Sequence, residues 1–227
     1  MDPAPFVREM IDDDTLAAGE FGAWITDMQL ALRGEQDATV PCGDCTACCT
    51  SSQFVHIAPG ETETLARIPQ ALRFAAPRMP HGHVLLGFDE RGHCPMLVDG
   101  ACSIYEHRPR TCRTYDCRVF PAAGIEDDDA SKHHITMRAR RWRFDHATPN
   151  DDTRHASVVA AATFLHEHAE GFAERDRPVT TTQLAVLAVE MHDLFLAHAA
   201  GTVRLIEPAE GEVAVEIARR HSRPTVG

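Results

Sequence analysis

Eight cysteines, all lying between Cys42 and Cys117, are the residues of this chain whose type and spacing could do chemistry. The first group reads Cys42-Gly-Asp-Cys45-Thr-Ala-Cys48-Cys49. The second reads Cys94-Pro-Met-Leu-Val-Asp-Gly-Ala-Cys102 and continues at Cys112-Arg-Thr-Tyr-Asp-Cys117. Thiolates held within a few ångströms repel one another unless a cation neutralises them. Cys-x2-Cys is the ordinary ligand spacing of both zinc and iron–sulfur sites. If residues 42 to 49 form a helical turn, Cys45 shares a face with Cys48 and Cys49. Adjacent Cys48 and Cys49 point in different directions in either case, so one of them serves a second site or stays a free thiol. Disulfides suit small secreted domains that cannot build a core, a poor description of 227 residues without an export signal. Free thiols acting as small hydrophobes would not cluster this way, because clustering invites oxidation or metal capture. Metal ligation is the expected role, with all eight cysteines as candidate ligands.

These blocks resemble the CxxCxxCC cysteine-cluster family (YkgJ type), described as zinc- or iron-chelating proteins. The resemblance rests on the Cys42–Cys49 run, on His93-Cys94-Pro95 with Gly100-Ala-Cys102-Ser-Ile-Tyr105, and on Arg108-Pro109-x-x-Cys112-Arg113-x-Tyr-x-Cys117. It covers roughly residues 40 to 120. The family includes flagellin lysine N-methylases, so the resemblance links the cysteines to an iron–sulfur cluster and a methyl-donor cofactor, and hence to redox or methyl-transfer chemistry.

Zinc needs four ligands in a closed tetrahedral site, and eight cysteines supply two such sites. Iron–sulfur clusters use the same thiolates. The vicinal Cys48-Cys49 pair is unusual for zinc fingers, so an iron–sulfur cluster or other iron centre is the favoured cofactor and zinc the alternative. Arg113, beside Cys112, is the candidate cofactor-binding residue, through a hydrogen bond to a cluster sulfur or to an anionic ligand. Arg108 is expected to pair with a carboxylate and Tyr105 to pack in the core. His93 and His107 lie inside the cysteine blocks and are expected to support the ligands rather than to ligate. His133-His134 and His166-x-His168 read as surface or core histidines.

The elements that must position these residues follow from periodicity. Phe21, Trp24, Ile25, Met28 and Leu32 predict a helix after the acidic cap Asp12-Asp13-Asp14, stopped by Gly34. Gln53–Ile57 reads as a strand and Pro59-Gly60-Glu61 as the opening of a helix through about Arg67. Residues 81 to 105 read as hairpins, with Asp99-Gly100 as a tight turn bringing Cys94 toward Cys102. Val158, Val159, Ala162, Leu165 and Phe172 mark one later helix. Thr180-x-x-Gln183 caps another, closed by Gly201, and Pro208 to Arg220 forms a third. The expected fold is α+β: a small β-hairpin, cysteine-rich metal-binding core flanked by N- and C-terminal helices. Its divisions are 1–39, 40–120 and 121–227, the last packed with the first as one domain. Hairpins of this size bury little apolar area, so folding of residues 40 to 120 is expected to depend on the metal.

Composition sets the outer bounds. Hydrophobic residues make up 44% and charged residues 25%, as in an ordinary globular protein. Asp and Glu outnumber Lys and Arg by 34 to 22, and that field disfavours nucleic acid and anionic lipid. The basic stretch Arg138-Ala-Arg140-Arg141-Trp142-Arg143 reads as a surface stripe facing Glu126–Asp129. No apolar run approaches the ~20 residues of a membrane span, and Met-Asp-Pro-Ala-Pro offers no secretory signal. A cytoplasmic protein is expected. Two roles fit it: a redox-active or catalytic metal centre, or a zinc-stapled module that recruits a protein partner.

Overall fold

The computed structural model describes residues 15–77, 79–199 and 201–221. Strand β1 (Leu16–Glu20) runs directly into helix α1 (Phe21–Arg33). A long loop holds the first cysteine run. The cysteine-rich stretch follows as β2 (Val55–Ile57), α2 (Thr62–Arg67), β3 (Arg73–Ala75), β4 (Val84–Leu86), β5 (Leu97–Val98), β6 (Ala101–Cys102) and α3 (Arg110–Thr114). Then come α4 (Val119–Ala123), α5 (His133–Ala139), β7 (Trp142–Asp145), α6 (Pro149–Glu167), α7 (Thr181–Met191), β8 (Leu196–Ala199), β9 (Thr202–Leu205) and α8 (Glu210–His221). The class is α+β, as expected. Among the described residues no helix is long and apolar enough to cross a membrane.

Helix α1 forms where the apolar spacing predicts it and buries Phe21, Trp24, Ile25, Met28 and Ala31. It ends at Gly34, in the left-handed region at φ 79, with the Gly34 and Glu35 N–H groups returning to Ala31 O and Leu30 O. A Cβ at Gly34 would collide with the Arg110 guanidinium, so the stop also lets the loop approach α3 closely. The acidic cap Asp12–Asp14 lies outside the described residues. Residues 16 to 20 are extended rather than helical because β1 pairs in parallel with β7, Leu16 opposite Trp142. That partner lies far along the chain and is invisible to local periodicity.

Two apolar clusters result. The larger joins Phe21, Trp24 and Met28 of α1 to Phe120, Ile135 and Trp142 and to the inner faces of α6, α7 and α8, and it includes Cys117. The smaller consists of buried Ile57, Ile68, Leu86 and Ile104, with Cys94 and Cys102 packed against it. Strand order β2-β4-β3 places the predicted His83–Phe88 strand in the centre of a three-stranded sheet. Its edge β3 carries no alternating apolar pattern, with Arg73 half-buried and Phe74 exposed, and so gives no strand signal. In the C-terminal half, Thr148 and Asp151 form a capping box on α6, and the Thr180 hydroxyl accepts from Gln183 N as predicted. Gly201 turns the β8–β9 hairpin instead of closing a helix: α7 stops at Met191, and Gly201 sits at φ 84 between paired strands. Phe172 is buried, but beyond the end of α6.

A buried ion pair fastens the cysteine-rich stretch to the larger core. Asp116 accepts from Trp24 Nε1 at 2.9 Å and from Arg118 Nη2 at 2.7 Å, and Arg118 donates onward to Ala18 O and Thr39 O. Both side chains are nearly inaccessible, 1% and 8% exposed. Asp116→Ala leaves the guanidinium buried without its counter-charge and should cost about 3–5 kcal/mol. Urea denaturation of the metal-loaded chain measures this. A loss below ~1 kcal/mol, the value of a surface pair, would show that water reaches Arg118.

Candidate metal centre

The first run is a loop of tight turns rather than a helix. Cys45 N donates to Cys42 O at 3.1 Å across Gly43, which sits at φ 59, and Cys49 N donates to Thr46 O at 2.8 Å. The second block is tied to it by backbone: Cys94 N donates to Cys49 O at 2.7 Å. The Asp89 carboxylate shapes the approach to Cys94 by accepting from Arg91 N and His93 N. Asp99 and Gly100, at φ 49 and 79, make the predicted turn, and Cys102 stands opposite Leu97, whose N–H reaches back to Cys94 O. Pro109 starts α3, which carries Cys112, and Cys117 follows on the Asp116–Arg118 anchor.

All eight cysteines are free thiols. Burial raises most of them, and neighbouring thiols raise them further. Cys117 is pushed up to about 12, by burial first and then by Asp116, Cys42 and Cys45, against a lowering hydrogen bond from Trp142. Cys112 reaches about 12 through burial and the charges of Cys94, Cys49 and Cys102. Cys49 reaches about 11 through burial, Cys94, Cys102 and Cys45. Burial, then Cys117 and Cys42, raise Cys48 well above the ordinary range. Cys48 and Cys112 nevertheless keep exposed surface, which puts them at a rim, crowded by protein on one side and wet on the other. Among the described residues no three His, Cys, Asp or Glu side chains close on a point where an ion would sit. The thiols are gathered, not closed.

Among the described residues the buried Tyr115 hydroxyl and Arg138 Nε find no hydrogen-bond partner. Burial, then the charges of Cys48 and Cys117, push the Tyr115 phenol well above its ordinary range. Arg138 donates Nη2 to Cys42 O at 3.2 Å and lies 4.9 Å over the Trp142 ring; burial raises the Cys42 thiol, and the Arg138 charge opposes that rise. Trp142 Nε1 donates to Cys117 Sγ at 3.2 Å. Eight uncombined thiols gathered along one stretch, one of them accepting from Trp142, are the donor set that a thiophilic cation takes.

Sequence reasoning missed Trp142, Tyr115 and Arg138. Trp142 and Arg138 belong to the stretch read as a surface stripe, yet Trp142 is 2% exposed and Arg138 faces Cys42. Arg140 behaves as that reading expected, in a bidentate pair with Glu126. Arg113 donates to Asp37 Oδ1 at 2.9 Å, and the arginine whose charge reaches Cys112 is Arg108. Arg108 stacks 4.1 Å over Tyr105 and pairs with no carboxylate among the described residues, and Tyr105 is exposed instead of packed. His107 lies 3.4 Å from Glu63.

Residues 41–139 match the model of the CxxCxxCC family, described as a putative zinc- or iron-chelating domain. Searches of the curated proteins and of the solved structures found no match to the chain. The matched segment contains every cysteine but none of α6, α7 or α8.

Proposed function

From the match of residues 41–139 to a zinc- or iron-chelating domain, we propose that this chain is an iron protein whose eight cysteines hold an iron–sulfur cluster or other iron centre. The observation that supports the reading is the Trp142 Nε1–H donated to Cys117 Sγ at 3.2 Å, with Arg138 held at Cys42 by its bond to the Cys42 carbonyl. Hydrogen bonds to cluster sulfur are one of the levers by which proteins set a reduction potential. When bound, such a centre supplies electron transfer or support for methyl transfer. This chain's own contribution is to hold the thiols, supply the donors and screen Cys117 from water. Eight reduced thiols suit the cytoplasm, where disulfides are rare.

A zinc-stapled module that recruits a protein is the second reading, favoured by one feature. Phe54, Phe74 and Phe88 are exposed together on the β2-β4-β3 sheet, with ring centroids 5.7 and 5.1 Å from Phe54. Metal and acid-labile sulfide content of protein purified without oxygen, with its visible spectrum, separates the two. Iron with sulfide and a broad band in the blue is expected. Colourless protein with stoichiometric zinc would overturn the iron reading in favour of the staple.

A further inference from the structure

We infer that the cysteines form two separate four-thiol metal sites, Cys42/Cys45/Cys48/Cys117 and Cys49/Cys94/Cys102/Cys112, divided between the vicinal pair. The inference rests on the metal-chelating reading above and adds which residues share an ion or cluster. Backbone and packing carry it. Cys117 belongs to the larger apolar cluster, where it is held by Asp116–Arg118 and capped by Trp142. Cys42 joins it there through the Arg138 contact, since Arg138 lies over the same Trp142 ring. Cys94 and Cys102 pack on the smaller cluster, and the β5–β6 hairpin sets them near each other. The Cys94–Cys49 backbone bond brings Cys49 to that side. Thr111, beside Cys112, donates to His56 O on β2 and so holds α3 over the same sheet.

The electrostatic neighbourhood agrees with this division. Cys48 faces Cys117, Cys42 and Cys45, while Cys112 faces Cys94, Cys49 and Cys102. Across the division, Cys49 meets Cys48 and Cys45 within the run itself. They also differ in surroundings. The first is ringed by Trp142, Arg138 and Tyr115; for the second, Arg108 is the arginine whose charge reaches Cys112. Four thiolates around a divalent cation carry a net charge of about −2, offset in part by Arg138 and Arg118 at the first site and by Arg108 at the second.

Full-length protein, purified anaerobically with its metal, is treated with graded chelator. Freed thiols are trapped with N-ethylmaleimide and mapped by mass spectrometry. Single molecules should carry no labels, four or eight, and the four-label species should be labelled wholly within one of the two named sets. Cys117→Ser and Cys112→Ser should each halve the metal content, and each should leave the opposite set protected. Labelled sets that mix, such as Cys48 with Cys94, or a chain whose metal is lost in one step from all eight, would overturn the division while leaving chelation intact. A chain that purifies without zinc or iron and shows all eight thiols reactive from the start would overturn both readings.

Discussion

Stripping the metal under reducing conditions should open residues 50 to 117 to protease while leaving most of the far-UV helical signal in place. Four fully or nearly buried side chains, Ile57, Ile68, Leu86 and Ile104, make up the interior of the cysteine-rich stretch. Its strands are two or three residues long, and α2, its longest helix, has six. Strands this short, in a sheet this small, have no independent stability. A structural zinc contributes on the order of 10–16 kcal/mol at neutral pH in small metal-dependent domains, enough to decide whether this part folds. The larger cluster rests on α1, α6, α7 and α8 and needs no metal to bury its apolar faces. Limited proteolysis with mass-spectrometric mapping, before and after chelation, checks the expectation. Unchanged cleavage sites would mean that the smaller cluster stands without its ion. Cleavage spread evenly through α6 and α7 would mean that the two clusters unfold as one unit.

That asymmetry was partly legible from residue order. The Asp99-Gly100 turn and the apolar stripe of α1 are local signals, and each produces the structure its spacing implies. What escaped is non-local. Strand β1 exists because β7 lies beside it, and nothing in Leu-Ala-Ala-Gly-Glu marks a strand. Trp142 sits among arginines, and charge density argued for a surface. Its indole is buried because the arginines splay around it, Arg138 toward Cys42 and Arg140 toward Glu126. Gly201 shows the same limit in reverse, since a glycine after an apolar helix reads equally well as a helix stop or a hairpin turn. The ligand candidates needed only the cysteine count, whereas the division among them needed the fold.

Metal affinity should rise steeply with pH, and the stability of the metal-free chain should fall with it. Cys49, Cys112 and Cys117 sit at about 11, 12 and 12 in the metal-free structure, so near neutrality these sites bind protons that a metal must displace. Each displaced proton contributes up to tenfold in affinity per pH unit. A site of four thiols would then gain roughly four decades between pH 6.5 and 7.5. Competition against a chromophoric chelator at the two values measures the slope, and proton release in weak buffer counts the thiols directly. A slope near zero would mean that Arg138 and Arg108 already hold their sulfurs as thiolates. The metal-free chain has the opposite sign. A thiol raised in the folded state contributes its full stability below pH 9, the ordinary thiol value, and loses it as pH climbs toward the folded value. Three pH units on buried Cys117 correspond to about 4 kcal/mol. Urea midpoints of reduced, chelated protein should therefore decline from pH 8.5 to 10.5, and Cys117→Ala should flatten that decline. Loaded and stripped protein thus respond to alkali in opposite directions, because the same buried sulfurs favour a proton when alone and a cation when ionised.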